Sequence, residues 1–152
     1  MGLALGPASL ALARQSVQAG PAAGRETVGM LVRGVRGATT IEANTVEAVL
    51  EASRELLSAM VEANDIDAEY VASALFTTTP DVNAEFPAVT AREMGWEHVA
   101  LLCGHEMSVP KALKMCLRIL IHVNTDKPAK EIRHIYLRGA TALRPDIERE
   151  ND

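Results

Sequence analysis

The sequence predicts an α/β fold built on a mixed β-sheet, and three observations carry that prediction. Residues 44–65 form one long segment whose apolar positions recur at helical spacing between polar ends. Short runs of aliphatic and β-branched residues elsewhere are bounded by Gly, Pro, Asn or Asp, as strands are. The two kinds of segment interleave as β-α-β-α-β-α-β-β, with one long helix and two short ones, an order that favours a sheet covered by helices.

Taken in order, "MLVRGVRGATT" from Met30 reads as a strand followed by a glycine-punctuated loop. In the long helix, Val46, Val49, Leu50, Leu56, Leu57, Met60 and Val61 make the apolar stripe. Asn44 with Glu47 resembles a capping box, and Asn64-Asp65 ends the helix. "YVASALFTTTPD" is a second strand stopped by Pro80, and "FPAVTAREMGW" a short helix with Pro87 in its first turn and Gly95 at its stop. "EHVALLCGHEM" is a third strand, after which Ser108 caps a brief helix containing Pro110. Cys116 to Val123 is the fourth strand, and "KEIRHIYLRGATAL" supplies the fifth. Residues 30–146 make one domain. Residues 1–29, rich in Ala and Gly with only Arg14, Arg25 and Glu26 charged, read as a flexible leader, and 147–152 as a polar tail.

Composition narrows the function. A chain of 152 residues with 48% hydrophobic content is long enough for one compact core. A net charge of −5 and the absence of a basic run or aromatic platform argue against a nucleic-acid partner. No stretch approaches the roughly 20 apolar residues of a membrane-spanning helix. Two cysteines, Cys103 and Cys116, are too few for a disulfide scaffold and fit a reducing cytoplasm.

The fourth strand, "CLRILIHVNTD", places a guanidinium inside an apolar run. Alternation puts Leu117, Ile119, Ile121 and Val123 on one face, the core. Cys116, Arg118, Leu120, His122 and Asn124 take the other, a mixed face suited to a pocket wall or a subunit contact. An unpaired buried charge costs several kcal/mol, roughly, so Arg118 needs water, a carboxylate or an anionic ligand. Arg33, Arg36 and Arg138 also fall on strands, Arg92 on the short helix, and Arg144 after the last strand, with Glu106 the one obvious carboxylate. Arginine grips carboxylates and phosphates bidentately, so this inventory points to an anionic small molecule. Cys103, His105, Glu106 and Cys116 lack a standard zinc spacing, and no metal is expected. A Cys103–His105 nucleophile pair lacks an orienting third group. "RGVRGATT" has the wrong glycine spacing for a phosphate-binding loop. Glu106 alone suits either acid–base work or an arginine partner, and His122 and His134 read as structural.

Five segments in order, "VRGVRGATT", "TPDVNAEFPAVTAREMGW", "LLCGHEM", "CLRILIHVNTD" and "EIRHIYLRGATALRPD", resemble the monofunctional chorismate mutases of the AroH class. The resemblance runs from about Met30 to Asp146. It implies a pseudo-α/β-barrel homotrimer with active sites in clefts between subunits. It also implies a reaction without cofactor, the Claisen rearrangement of chorismate to prephenate that leads to phenylalanine and tyrosine.

Under that resemblance, Arg118 reaches the ether oxygen and a substrate carboxylate, and the ligand supplies its missing anion. Arg36 grips a carboxylate, Tyr136 donates a hydrogen bond to one, and Glu106 accepts from the substrate hydroxyl with Cys103 nearby. Phe86 and Ala88 of the adjacent subunit make an apolar wall, and its Arg92 adds positive potential. Leu101 and Leu143 match pocket-lining positions, and Arg144 stands near the entrance. Val89 is a departure, since members of the class often carry lysine there. The alternative reading is a non-catalytic trimeric module that senses aromatic-pathway metabolites, because a shared fold need not mean shared activity.

Overall fold

The computed structural model describes residues 29–148. All but the last residue of the expected leader, and the tail from residue 149, lie outside that range. Five strands form one sheet: β1 (Leu31–Thr40), β2 (Val71–Thr78), β3 (Ala100–His105), β4 (Cys116–Thr125) and β5 (Ile135–Tyr136). Their spatial order is β3-β2-β4-β1-β5. β4 runs antiparallel to both β1 and β2, whereas β2–β3 and β1–β5 are parallel. The sheet is therefore mixed, as expected.

Helix α1 (Val46–Asn64) covers one face. Val49, Ala52, Leu56, Leu57 and Met60 are buried on it, against Val35 of β1, Phe76 of β2 and Leu117, Ile119 and Ile121 of β4. These β4 positions are the alternating set assigned to the core, and the alternation holds: Arg118 between them is exposed. The helix starts one residue later than the capping-box reading required. Thr45 is the N-cap, its hydroxyl accepting from the Ala48 N–H at 3.2 Å. Asn44 instead holds the loop after β2, accepting from the backbone N–H of Asn83 and Ala84 at 2.9 Å each. At the other end Asp65 takes a left-handed conformation and closes the helix as foreseen.

Three further expectations change. "RGVRGATT" is strand rather than loop: β1 pairs with β4 without a break from Leu31–Thr125 to Thr40–Cys116. Gly37 serves packing there, because a Cβ on it would stand 2.3 Å from Met60 Sδ. The expected helix after Ser108 is absent, and residues 107–115 form turns with Lys111 and Met115 at positive φ. Asp81 pins that loop by accepting from the Met115 N–H at 2.9 Å. A strand at the chain's end shrinks to two residues and gives way to a 3-10 helix, Arg138–Leu143. The first of the two expected short helices, α2 (Val89–Glu93), forms, with Gly95 at positive φ beyond its end. Pro145–Glu148 adds a last helical turn, α3.

The face of the sheet opposite α1 is bordered at β1 by the 3-10 helix Arg138–Leu143, whose Gly139 N–H donates to Thr40 Oγ1 at 3.1 Å. Thr77, Arg118, Ala38 and Tyr136 stand side by side on that face in register. Leu102, Leu75, Leu120 and Arg36 form the next row, and Leu102 is 65% exposed.

Candidate active site

The uncovered face gathers most of the residues singled out in the sequence. Arg118 and Arg36 share it because register sets Arg118 opposite Ala38 and Arg36 opposite Leu120. Tyr136 joins them through its pairing with Ala38. Glu106 lies just beyond β3, where its N–H donates to the Thr78 carbonyl and extends the ladder by one bond. Its side chain, 16% exposed, accepts from Thr77 Oγ1 at 2.8 Å. Arg118 Nε stands 3.2 Å from the same carboxylate oxygen.

That contact corrects the expectation that a ligand supplies the only anion for Arg118. The protein places its own carboxylate first, and the contact runs through Nε rather than the terminal fork. Arg118 keeps 45% of its side chain exposed. With the guanidinium half exposed and the carboxylate mostly buried, solvent screens the pair from the Arg118 side. The exposed part of the guanidinium is left open to an anionic ligand, while Glu106 holds its plane from the Nε side.

At the other end of the row, His134 Nδ1 accepts the Arg36 backbone N–H at 3.1 Å. Burial pushes the His134 pKa below its ordinary value, and the charges of Arg36 and Arg144 lower it further. A neutral imidazole is what that hydrogen bond needs. Arg144 is held by Asp146 through three contacts of 2.6–3.2 Å, and Asp146 first, with Tyr136 also contributing, raises its pKa. His134 and Asp146 were not among the sequence-derived site residues; their roles come from pairing across the chain, which no local motif announces.

Cys103 lies elsewhere. Register sets it opposite the buried Phe76, and Leu101 opposite the buried Ala74, on the α1 side of the sheet. It is therefore not beside Glu106 within one chain, contrary to the sequence reading. Its neighbours are the Ala88 backbone and Arg92, both of which act on the thiol. Burial outweighs them and pushes the Cys103 pKa up, which keeps the sulfur protonated and ill suited to nucleophilic attack. His105 makes no thiolate either, since its Nδ1 is 3.2 Å from Thr78 Oγ1. Phe86, 69% exposed, Cys103 and His105 line a cavity of about 410 Å³ on this side. Ala88 is buried. Leu143 ends the 3-10 helix that follows Tyr136.

One chain thus carries two separate groups. Arg36, Arg118, Tyr136 and Arg144 present cations and a hydroxyl on the open sheet face, with Glu106 the acceptor among them. Phe86 and Cys103 line a hollow at the β3 edge, with the Ala88 backbone and Arg92 close to the Cys103 thiol and Leu101 two residues before it on the same face of β3. Among the described residues no three His, Cys, Asp or Glu side chains are grouped to hold a metal ion, and no helix is long and apolar enough to cross a membrane.

Comparison with known proteins gives a consistent result. Residues 32–147 match the family model described as chorismate mutase type I. Over 119 residues the chain is 48% identical to the chorismate mutase AroH of Thermus thermophilus, covering 78% of this chain and 98% of that protein. It is 44% identical over 119 residues to the chorismate mutase AroH of Bacillus subtilis, covering 78% and 94%. A solved chorismate mutase from Clostridium thermocellum superposes with a TM-score of 0.71 at 44% identity, covering 72% of this chain and 98% of that one.

Proposed function

The chain belongs to the chorismate mutase type I family, and on that premise we propose how its residues divide the conversion of chorismate to prephenate. The reaction is a rearrangement within one molecule: a carbon–oxygen bond breaks as a carbon–carbon bond forms. No proton has to move. The protein must hold a flexible dianion in its compact reactive shape and stabilise the charge that develops on the ether oxygen.

Arg118 stabilises that oxygen and helps bind one carboxylate. Arg36 and Tyr136 bind carboxylate from the same face, and Glu106 accepts from the ring hydroxyl. Arg144 stands at the entrance, beside Leu143. The observation that carries this reading is the row of Thr77, Arg118 and Tyr136 with Arg36 on one uncovered face, because it offers fixed cations where a dianion can lie.

Phe86, Ala88, Arg92, Leu101 and Cys103 complete the site from a neighbouring copy. Two features support a homotrimer with sites between subunits. The two groups of site residues lie on opposite sides of one sheet, so a single copy cannot close both around one ligand. The open face also leaves Leu102 uncovered beside Leu75 and Leu120, an apolar strip that a second copy would bury. The protein works in the cytoplasm on this reading, as its free cysteines fit.

Loss of chorismate's ultraviolet absorbance on adding purified protein tests the activity, with the product identified as prephenate. Binding of prephenate or phenylalanine with no turnover would leave a sensor and overturn the enzyme reading.

A further inference from the structure

Thr77 lies on β2, where threonine suits a half-buried sheet position. Its surroundings say more. Its hydroxyl is 2.8 Å from Glu106 Oε1, and Arg118 Nε approaches that same oxygen at 3.2 Å. Thr77 is also the direct cross-strand partner of Arg118, so one residue fixes the carboxylate from the position next to the guanidinium. Glu106 Oε2, in contrast, has no hydrogen-bond partner among the described residues. Every fully buried side-chain oxygen or nitrogen among them does have one, so Oε2 reaches solvent.

We infer that Thr77 is a positioning residue for the rearrangement: by occupying Oε1 it turns Glu106 so that Oε2 faces the ligand as the acceptor for the ring hydroxyl. The inference rests on the reading of Glu106 given above. Without the Thr77 hydroxyl, Arg118 is the one remaining partner of Glu106, and the carboxylate is free to rotate toward the guanidinium. A rotated Glu106 both loses the hydroxyl and draws charge away from the ether oxygen. Two branches of the site are thereby coupled through one threonine.

The test compares Thr77→Val and Thr77→Ser in the full chain, using chorismate and an analogue lacking the ring hydroxyl. Valine keeps the shape and strand preference but removes the donor; serine keeps the donor. With chorismate, Thr77→Val should lower kcat/KM roughly 10-fold, the effect of losing one hydrogen bond to a charged acceptor. Thr77→Ser should stay within about 2-fold of the parent. With the analogue the Thr77→Val loss should shrink to about 2-fold or less, which damage to the fold alone would not do. Equal losses with both substrates, a serine variant as slow as the valine variant, or a valine variant as fast as the parent would each overturn the inference. Glu106→Gln serves as the control. If it matches the parent on chorismate, the role given to Glu106 falls and Thr77's with it; if it is slow while Thr77→Val is not, only the positioning role falls.

Discussion

Arg118 shows how one side chain meets two demands. In the role proposed for it, Arg118 must be cationic and free enough to meet a ligand, yet fixed enough to act without reorganising at the moment of reaction. The pair with Glu106, screened by solvent from the Arg118 side, supplies the fixing. Replacing Arg118 by Ala should lower kcat by roughly 10² or more, measured by chorismate consumption. Val89 stands at the start of α2, half-buried, where a lysine is common in this class. Val89→Lys should raise kcat/KM for a dianion several-fold at low salt, with the gain fading as added salt screens it. His134 sets the acid limit. Its native pKa lies below its unfolded value of about 6.5, so the unfolded chain binds the extra proton first. The stability it contributes is present above that value and is lost as pH falls below it. Urea unfolding at pH 5 and pH 7.5 should show that loss, and a His134→Gln variant should show less of it. Turnover itself should stay flat around neutrality, since no acid–base pair takes part.

At the scale of elements, α1 and β1 define the platform that carries the site. The helix depends on Thr45 at its start, and Thr45→Ala should cost about 1 kcal/mol of unfolding free energy in urea melts. Contact between the two is set by Gly37, which lets Met60 and Leu56 lie against the strand. Gly37→Ala should cost about 1–3 kcal/mol, because Met60 and the helix must shift to admit a methyl group. Turnover at 25 °C should suffer as well, since Arg36 and Ala38 flank Gly37 on the open face of the same strand. Register is the link: a strand moved by packing behind it moves the side chains in front.

For the whole molecule, the decisive quantity is assembly. Sedimentation should give three copies per particle. Mixing refolded Arg118→Ala protein with an inactive variant of the other group, such as Phe86→Asp, should restore part of the activity that each lacks alone. Mixed trimers then contain sites built from one intact face and one intact hollow. No recovery on mixing would show that each chain carries a complete site. The net charge of −5 is no obstacle to an anionic substrate, because local cations on the open face set the potential there.

Much of this was legible in the sequence because short-range periodicity encodes it. The strand alternation in 116–123 separated the core face from the face that carries Arg118, and helical spacing identified α1, since burial on one side imposes those periods on any chain. The resemblance carried by the five segments pointed to the reaction and to Arg36, Glu106, Arg118 and Tyr136. What only the tertiary structure decided concerns residues brought together by register between distant strands. It extended β1 through its glycines, dissolved the helix expected after Ser108, and set Cys103 behind the sheet while Glu106 stayed in front. It also joined Thr77 to Glu106 and His134 to Arg36, separated by 29 and 98 positions in the chain. Periodicity reports which way a side chain points; which partner waits there depends on strand pairing, and that is settled by the summed packing of the whole sheet.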